Sequence, residues 1–383
     1  MQHPVPAVLM RGGTSKGLFI HERDLPAAGR ERDAVILRLM GSPDPMQIDG
    51  LGGTYSSMSK VIIVSASQLP DCDIEYLFGQ VAVDEPRVDY AGNCGNLTSA
   101  VGPFAIEEGM VATQPGSTLV RLLNRNTGKR VDAQVPTTDG QVEVEGTHRI
   151  AGVPGSGARI LTTYLAPGGA VFGAVLPTGR PIDRLEVAGV GEISISIVDA
   201  AHPYAFVESD GLDLPSGATV AGLNADAALL ARLEAVRAAC AVLLGRVASP
   251  AEAATGSPTV PRLVLVDPPD RWRDPSGDGS AGDVDLGVRM VSMGKVHHAC
   301  PITGAVCTAA AAWVHGTVVW ALAPQRADQP LRIGHPKGVV EASAEVRTVA
   351  GEVVIESVTV TRTARRLMAG TAYVPTSTTG VAP

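Results

Sequence analysis

Tyr90-Ala-Gly-Asn-Cys94-Gly-Asn96-Leu-Thr-Ser-Ala-Val101-Gly-Pro-Phe-Ala-Ile106 is a glycine loop running straight into an apolar stretch. Leu97, Ala100, Val101, Phe104 and Ala105 make that stretch apolar nearly all round, the mark of a buried helix. The pattern recurs in Lys295-Val-His-His-Ala-Cys300-Pro-Ile-Thr-Gly304, which opens the apolar run Ala305–Ala312. Around each copy the periodicity predicts the same order: strand, loop, strand, helix, strands, glycine loop into helix, strands. In the first half these are Pro6–Met10, Leu18–His21, a helix over Asp24–Met40, Lys60–Ser65, Gly79–Val83 and the helix through Glu108. In the second they are Glu192–Val198, Tyr204–Glu208, a helix over Ala225–Leu244, Arg262–Val266 and the helix Ala305–His315. Common order argues for an internal duplication, although few residues coincide. The turn Pro177-Thr-Gly-Arg-Pro181 is the natural boundary, and a ligand site between the halves is the natural expectation. Pro103 is expected to interrupt the first buried helix, and the polar insertion Asp267–Asp283 to form a surface loop.

The chain has 383 residues, 43 glycines, 28 prolines, 4% aromatics, 45% apolar residues and a net charge of −8. That length suits two domains, and the apolar content can bury a core. The acidic balance disfavours nucleic acid and anionic membranes as partners. Glycine-rich loops with few aromatics suit a small polar substrate. No apolar run nears the roughly 18 residues of a membrane span, and no basic-then-apolar leader opens the chain, so a cytoplasmic protein is expected. Five cysteines without a CxxC pair support neither a disulfide framework nor a zinc site.

Helix starts leave N–H groups unpaired and favour negative charge, so Gly92–Asn96 and Pro301–Gly304 are candidate carboxylate sites. Cys94 sits at such a start, which favours the thiolate, with no apolar packing to explain a thiol. Cys72, Cys240 and Cys307 read instead as small buried hydrophobes. Lys60 opens the apolar strand Val61–Val64, where a partly desolvated amine makes a usable base and a snorkelling edge lysine is the alternative. Arg11-Gly-Gly-Thr-Ser-Lys16-Gly lacks phosphate-loop spacing, but its cations and hydroxyls suit carboxylates. Lys295, His297 and His298 do likewise. No third ligand with metal spacing stands near the two histidines, so no metal is expected.

Met10–Gly17, Gln47-Ile-Asp-Gly-Leu-Gly-Gly53, Ser59-Lys-Val61, Gly92–Asn96 and Gly334-His-Pro336, in that order, resemble the PrpF-type isomerases. These include 2-methylaconitate cis–trans isomerase, 4-oxalomesaconate tautomerase and methylitaconate isomerase, and the resemblance runs from about residue 5 to about 375. It implies an α+β, diaminopimelate-epimerase-like fold with two pseudo-symmetric halves, each a β-barrel-like sheet around a central helix. The halves are then 1–185 and 186–356, with a segment from about 357 to 383 returning to the first. It implies a cofactor-independent isomerase or tautomerase moving a proton on an unsaturated tricarboxylate, with Lys60 and Cys94 catalytic. Arg11, Thr14, Ser15, Lys16, Ser56, Met58, Asn93, Gly95, Asn96, Lys295, His297, Thr303 and Gly304 are then substrate-binding. A homodimer stays open. Racemising relatives carry a cysteine at each helix start, whereas Pro301 stands at the second one here and Cys300 is one residue off. That disfavours the first alternative, an amino-acid epimerase. The second, a non-catalytic carboxylate-binding protein, leaves Lys60 and Cys94 without a purpose.

Overall fold

A computed structural model describes residues 1–212, 214, 218–273, 283–292, 294–324 and 329–375. Its contacts divide the chain into unit 1, Met1–Thr163 with the segment from Thr361 onward, and unit 2, Tyr164–Val360. Residues 164–185, assigned to the first half by sequence, group with unit 2.

Unit 1 runs β1 (Gln2–Gly12), β2 (Ser15–His21), α1 (Arg30–Met40), β3 (Lys60–Ala66), β4 (Ile74–Val81), β5 (Val88–Asp89), α2 (Gly95–Glu107), β6 (Gly116–Asn124), β7 (Lys129–Thr138) and β8 (Gln141–Val142). The chain leaves it within β9 (Ile160–Leu165). Unit 2 then runs β10 (Asp183–Val187), β11 (Gly191–Ala200), β12 (His202–Glu208), α3 (Val220–Ala225), α4 (Ala227–Leu243), α5 (Ala253–Gly256), β13 (Arg262–Asp267), β14 (Leu286–Ser292) and β15 (Lys295–Val296). It continues through α6 (Ile302–Ala311), α7 (Val318–Leu322), β16 (Leu331–His335) and β17 (Gly338–Val349). Strand β18 (Glu352–Arg362) leads back to unit 1, where β19 (Ala364–Pro375) pairs antiparallel with β1 along its length.

The duplication is explicit in strand pairing. In unit 1, β1–β2 is antiparallel, β2–β3 parallel, β3–β4 and β4–β5 antiparallel, β4–β6 parallel and β6–β7 antiparallel. In unit 2, β11–β12, β12–β13, β13–β14, β14–β15, β14–β16 and β16–β17 repeat that series in the same order. Each unit has two helical layers. In unit 1, Ile36, Leu37, Leu39 and Met40 of α1 pack with Val5, Ala7, Leu18, Ile20, Val61 and Ile63 on the outer sheet face. On the inner face Phe19 and His21 meet Phe104 of α2, at 5.4 and 5.2 Å between ring centroids. Helices α2 and α6 are buried nearly throughout.

Several boundaries differ from the sequence reading. The first helix starts at Arg30, because Pro26 and Gly29, the latter at φ 134°, follow a short turn at Glu22–Asp24. The strand expected at Gly79–Val83 is Ile74–Val81, paired along β3. The helix expected over Ala225–Leu244 is α4, Ala227–Leu243, which starts two residues later because the Asp226 carboxylate accepts from Leu229 N–H and caps it; the short α3 before it was not expected. The second buried helix begins at Ile302 and ends at Ala311. Pro103 does not interrupt α2. The missing hydrogen bond costs about 3 kcal/mol in an isolated helix, and burial among strands offsets it. Of the expected insertion, Asp267 ends β13, Pro269–Arg271 form a short turn, and 274–282 lie outside the described residues. So do 376–383 of the returning segment.

Candidate active site

The glycines of the β1–β2 turn let three elements meet. A Cβ on Gly12 would lie 2.5 Å from the Asn96 carbonyl oxygen, and one on Gly17 2.9 Å from the Lys60 carbonyl oxygen. The turn therefore touches both the first turn of α2 and the start of β3. Side chains alternate along β2, so Ser15 and Gly17 share the inner face with Phe19, and Lys16 shares the outer face with Leu18.

Cys94 is the N-cap residue of α2 and 8% exposed. Its Sγ lies 3.9 Å from the Ser15 hydroxyl, and its carbonyl accepts from Thr98 N–H at 3.0 Å and Thr98 Oγ1 at 3.1 Å. The Thr98 hydroxyl also meets the Tyr76 hydroxyl at 2.9 Å, and burial pushes the Tyr76 phenol well above its ordinary range, so it stays neutral. Asn96 Nδ2 donates to Thr14 Oγ1 at 3.0 Å, and Asn93 Oδ1 accepts from Asn124 Nδ2 at 2.9 Å. The first turn of α2 holds no acidic residue, so its N–H groups face no competing carboxylate from that turn.

Lys60 is 8% exposed and opens β3. In the register it faces Gln80, whose Oε1 accepts from Lys60 Nζ at 2.5 Å. Gln80 is itself fixed, since its Nε2 donates to the carbonyls of Ser56 and Ser59 at 3.0 and 2.9 Å. Lys60 Nζ also sits 5.0 Å from the centre of the Phe78 ring, a cation–π distance. The Phe78 backbone is held at both N–H and C=O by the Asn126 amide.

Thr14, Ser15, Asn93, Gly95 and Asn96 thus gather around Cys94. Arg11 and Lys16 do not, because the alternation turns both outward. The Arg11 guanidinium donates to the carbonyls of Gly13 and Thr363 and to the Thr363 hydroxyl, at 2.9–3.1 Å. Lys16 joins the loop beneath Lys60 through its backbone, N–H to Ser57 C=O at 3.0 Å. Ser56 enters through its carbonyl on Gln80, and Met58 packs on Gly53. Gln80, Phe78, Tyr76 and Asn126 escaped the sequence reading. Gln80 carried a legible signal, a lone amide closing the apolar run Tyr76–Gly79.

Unit 2 builds its equivalent end from different chemistry. Arg262 opens the parallel strand β13 as Lys60 opens β3, and Ser292 of β14 stands where β4 carries Gln80. Pro301 caps α6 where Cys94 caps α2. Thr303 Oγ1 meets the Tyr204 hydroxyl at 2.9 Å, and Arg262 Nη1 donates to that hydroxyl at 3.2 Å. The end of the Met290 side chain lies close over Gly304, where a Cβ would fall 2.2 Å from its Sδ. His297 Nδ1 accepts from Ala299 N–H at 3.0 Å, its ring stacks on His298 at 4.5 Å, and burial lowers its pKa. Lys295 is exposed, and Cys300 points its thiol at the Pro301 carbonyl, 3.5 Å away. Burial, then the nearby Arg262 charge, takes His202 down to about 4. Among the described residues no three His, Cys, Asp or Glu side chains are placed to hold a metal ion, and no helix is long and apolar enough to cross a membrane.

The model of the family described as PrpF protein matches residues 2–375. The chain is 42% identical over 376 residues to 3-methylitaconate isomerase of Eubacterium barkeri, covering 97% of this chain and 98% of that one. It is 40% identical over 388 residues to 2-methyl-aconitate isomerase of Shewanella oneidensis, covering 98% of each. It is also 40% identical over 381 residues to 4-oxalomesaconate tautomerase of Pseudomonas putida, covering 99% and 98%. The crystal structure of methylitaconate-delta-isomerase superposes with a TM-score of 0.89 at 41% identity, over 98% of this chain and 97% of that one. A hydroxyproline epimerase from Agrobacterium vitis superposes at 0.55 and 15% identity, over 97% and 92%, which shows the shared epimerase-like fold alone.

Proposed function

The chain belongs to the PrpF protein family and is an isomerase, and from that premise we propose that it moves a proton along an unsaturated tricarboxylate of the methylaconitate or oxalomesaconate kind, using Lys60 and Cys94 and no cofactor. The observation that carries this reading is the inner face of unit 1. There a buried amine oriented by Gln80 and a buried thiol at a helix start share one face of the β2–β3 region.

The Lys60 amine takes a proton from a carbon next to a carboxylate or ketone: a C–H bond breaks and an N–H bond forms. The electron pair delocalises into a dienolate, which supplies the acidity without a cofactor and frees the former double bond to rotate or shift. Cys94 S–H then delivers a proton to the other end of the allylic system, and exchange with water restores the ammonium to amine and the thiolate to thiol. The free N–H groups of α2, with Thr14, Ser15 and Asn96, hold a carboxylate and the developing oxyanion. At the start of α6, Thr303 and Gly304 with His297 and Lys295 serve carboxylate binding. Pro301 there carries no proton, so acid–base chemistry rests on one half, unlike a two-cysteine epimerase. The enzyme is proposed to act in the cytoplasm.

The test is proton NMR in heavy water on a panel of 4-oxalomesaconate, 2-methylaconitate and methylitaconate. Turnover of one of them with solvent deuterium in the product is expected, and Lys60→Ala and Cys94→Ala should each lower it by about 10²–10⁴-fold. Full activity in either variant, or no turnover of any of the three, overturns the assignment.

A further inference from the structure

We propose that unit 1 carries a second anion site on the outer sheet face, opposite Lys60 and Cys94, built on Arg11 and Arg365 and suited to a small polycarboxylate or phosphate. Arg11 of β1 stands directly between Lys16 of β2 and Arg365 of β19, so three cations form one row across three strands. Like charges placed opposite each other destabilise a sheet. Neighbouring Arg366 points to the inner face and is matched by Glu107 and Glu108. Among the described residues no carboxylate pairs with Lys16, Arg11 or Arg365. A ligand anion is the missing countercharge.

Arg11 and Arg365 of the row line a cavity of about 720 Å³, together with Thr363, His148, Ile150 and the stretches Val144–Gly146 and Val153–Ser156. That size lies within the roughly 300–1,000 Å³ of small-molecule pockets. Its only acidic lining residue is Glu145, which is exposed. Arg11 is preorganised for the task. One nitrogen, Nη1, makes all three of its protein contacts, on Gly13 and Thr363, which leaves the rest of the fork for a ligand. Burial and then the charge of Arg365 lower its pKa, as expected of cations without a countercharge. Two adjacent guanidiniums favour oxygens that accept in pairs, as carboxylates and phosphates do. The ligand would lie behind the turn that presents Thr14 and Ser15 to α2, whose Gly13 carbonyl Arg11 holds.

The site does not depend on the substrate proposed above, and binding tests it without turnover. Calorimetric titration with citrate and with inorganic phosphate compares wild type, Cys94→Ala, Arg365→Gln and Arg365→Lys. Binding is expected to survive Cys94→Ala, to weaken about 10–100-fold in Arg365→Gln, and to recover in part in Arg365→Lys. Removing a repelled cation should leave the thermal midpoint of Arg365→Gln at or above wild type, so misfolding cannot mimic the loss. Tighter citrate marks a polycarboxylate site and tighter phosphate a phosphate site. The proposal is overturned if Arg365→Gln binds both anions as wild type does, or if wild type binds neither outside the Cys94 site.

Discussion

Replacing Gln80 with glutamate leaves the backbone and side-chain length unchanged but sets a carboxylate where a neutral amide now meets Lys60 Nζ at 2.5 Å. A unit charge pair at ~4 Å is worth about 4 kcal/mol at an effective dielectric near 20. Every ~1.4 kcal/mol of that attraction held against the reaction is tenfold in rate. The new carboxylate cannot donate to the Ser56 and Ser59 carbonyls as Gln80 Nε2 does, so part of the gain is lost to a loosened loop. The expected net effect is a loss of about 10–10³-fold in kcat/KM, because the new carboxylate ties up the amine that takes the substrate proton. The assay is solvent-deuterium incorporation into product at one fixed pH. A Gln80→Glu variant that keeps wild-type kcat/KM would refute the claim that Lys60 is the base and Gln80 its partner.

Gly12→Ala should prevent the β1–β2 turn from seating on α2, because its Cβ falls 2.5 Å from the Asn96 carbonyl oxygen. A urea midpoint lowered by about 2–4 kcal/mol of stability is expected, and an unchanged midpoint would show that the turn gives way freely. At the far end of α2, Glu108 accepts from His21 Nε2 at 3.0 Å and from Arg366 Nη2 at 2.7 Å. Burial raises its pKa, but the bonds to His21 and Arg366 outweigh that and hold it below its ordinary value. This contribution to stability is full above about pH 5 and is lost as pH falls through the lowered value. Thermal midpoints from pH 6 down to 3 should therefore drop less steeply in Glu108→Gln than in wild type.

Much of this molecule follows from local patterning. Both buried helices, the glycine loops that open them and the duplication were legible because periodicity and chain order are local properties. Cys94 and Lys60 stood out for the same reason, one a thiol on a loop and the other a charge at the mouth of an apolar strand. The prediction failed where a longer-range contact decided. Pro103 is tolerated because α2 is packed among strands.

Motif membership could not say which way a side chain points. Arg11 and Lys16 lie in the same seven-residue loop as Ser15, yet strand alternation sends them to the opposite face. Only pairing with β19, more than 350 residues away in sequence, sets Arg365 beside Arg11. Gln80 and Phe78 reach Lys60 through the β3–β4 register, and registers are set by which faces must be buried across the whole sheet. Sequence by itself determined the family of fold and singled out Lys60 and Cys94 as the proposed pair. The tertiary structure decided what holds that pair, which cations stand apart from it, and that the matching end of unit 2 presents Arg262 and Pro301 instead of a lysine and a cysteine.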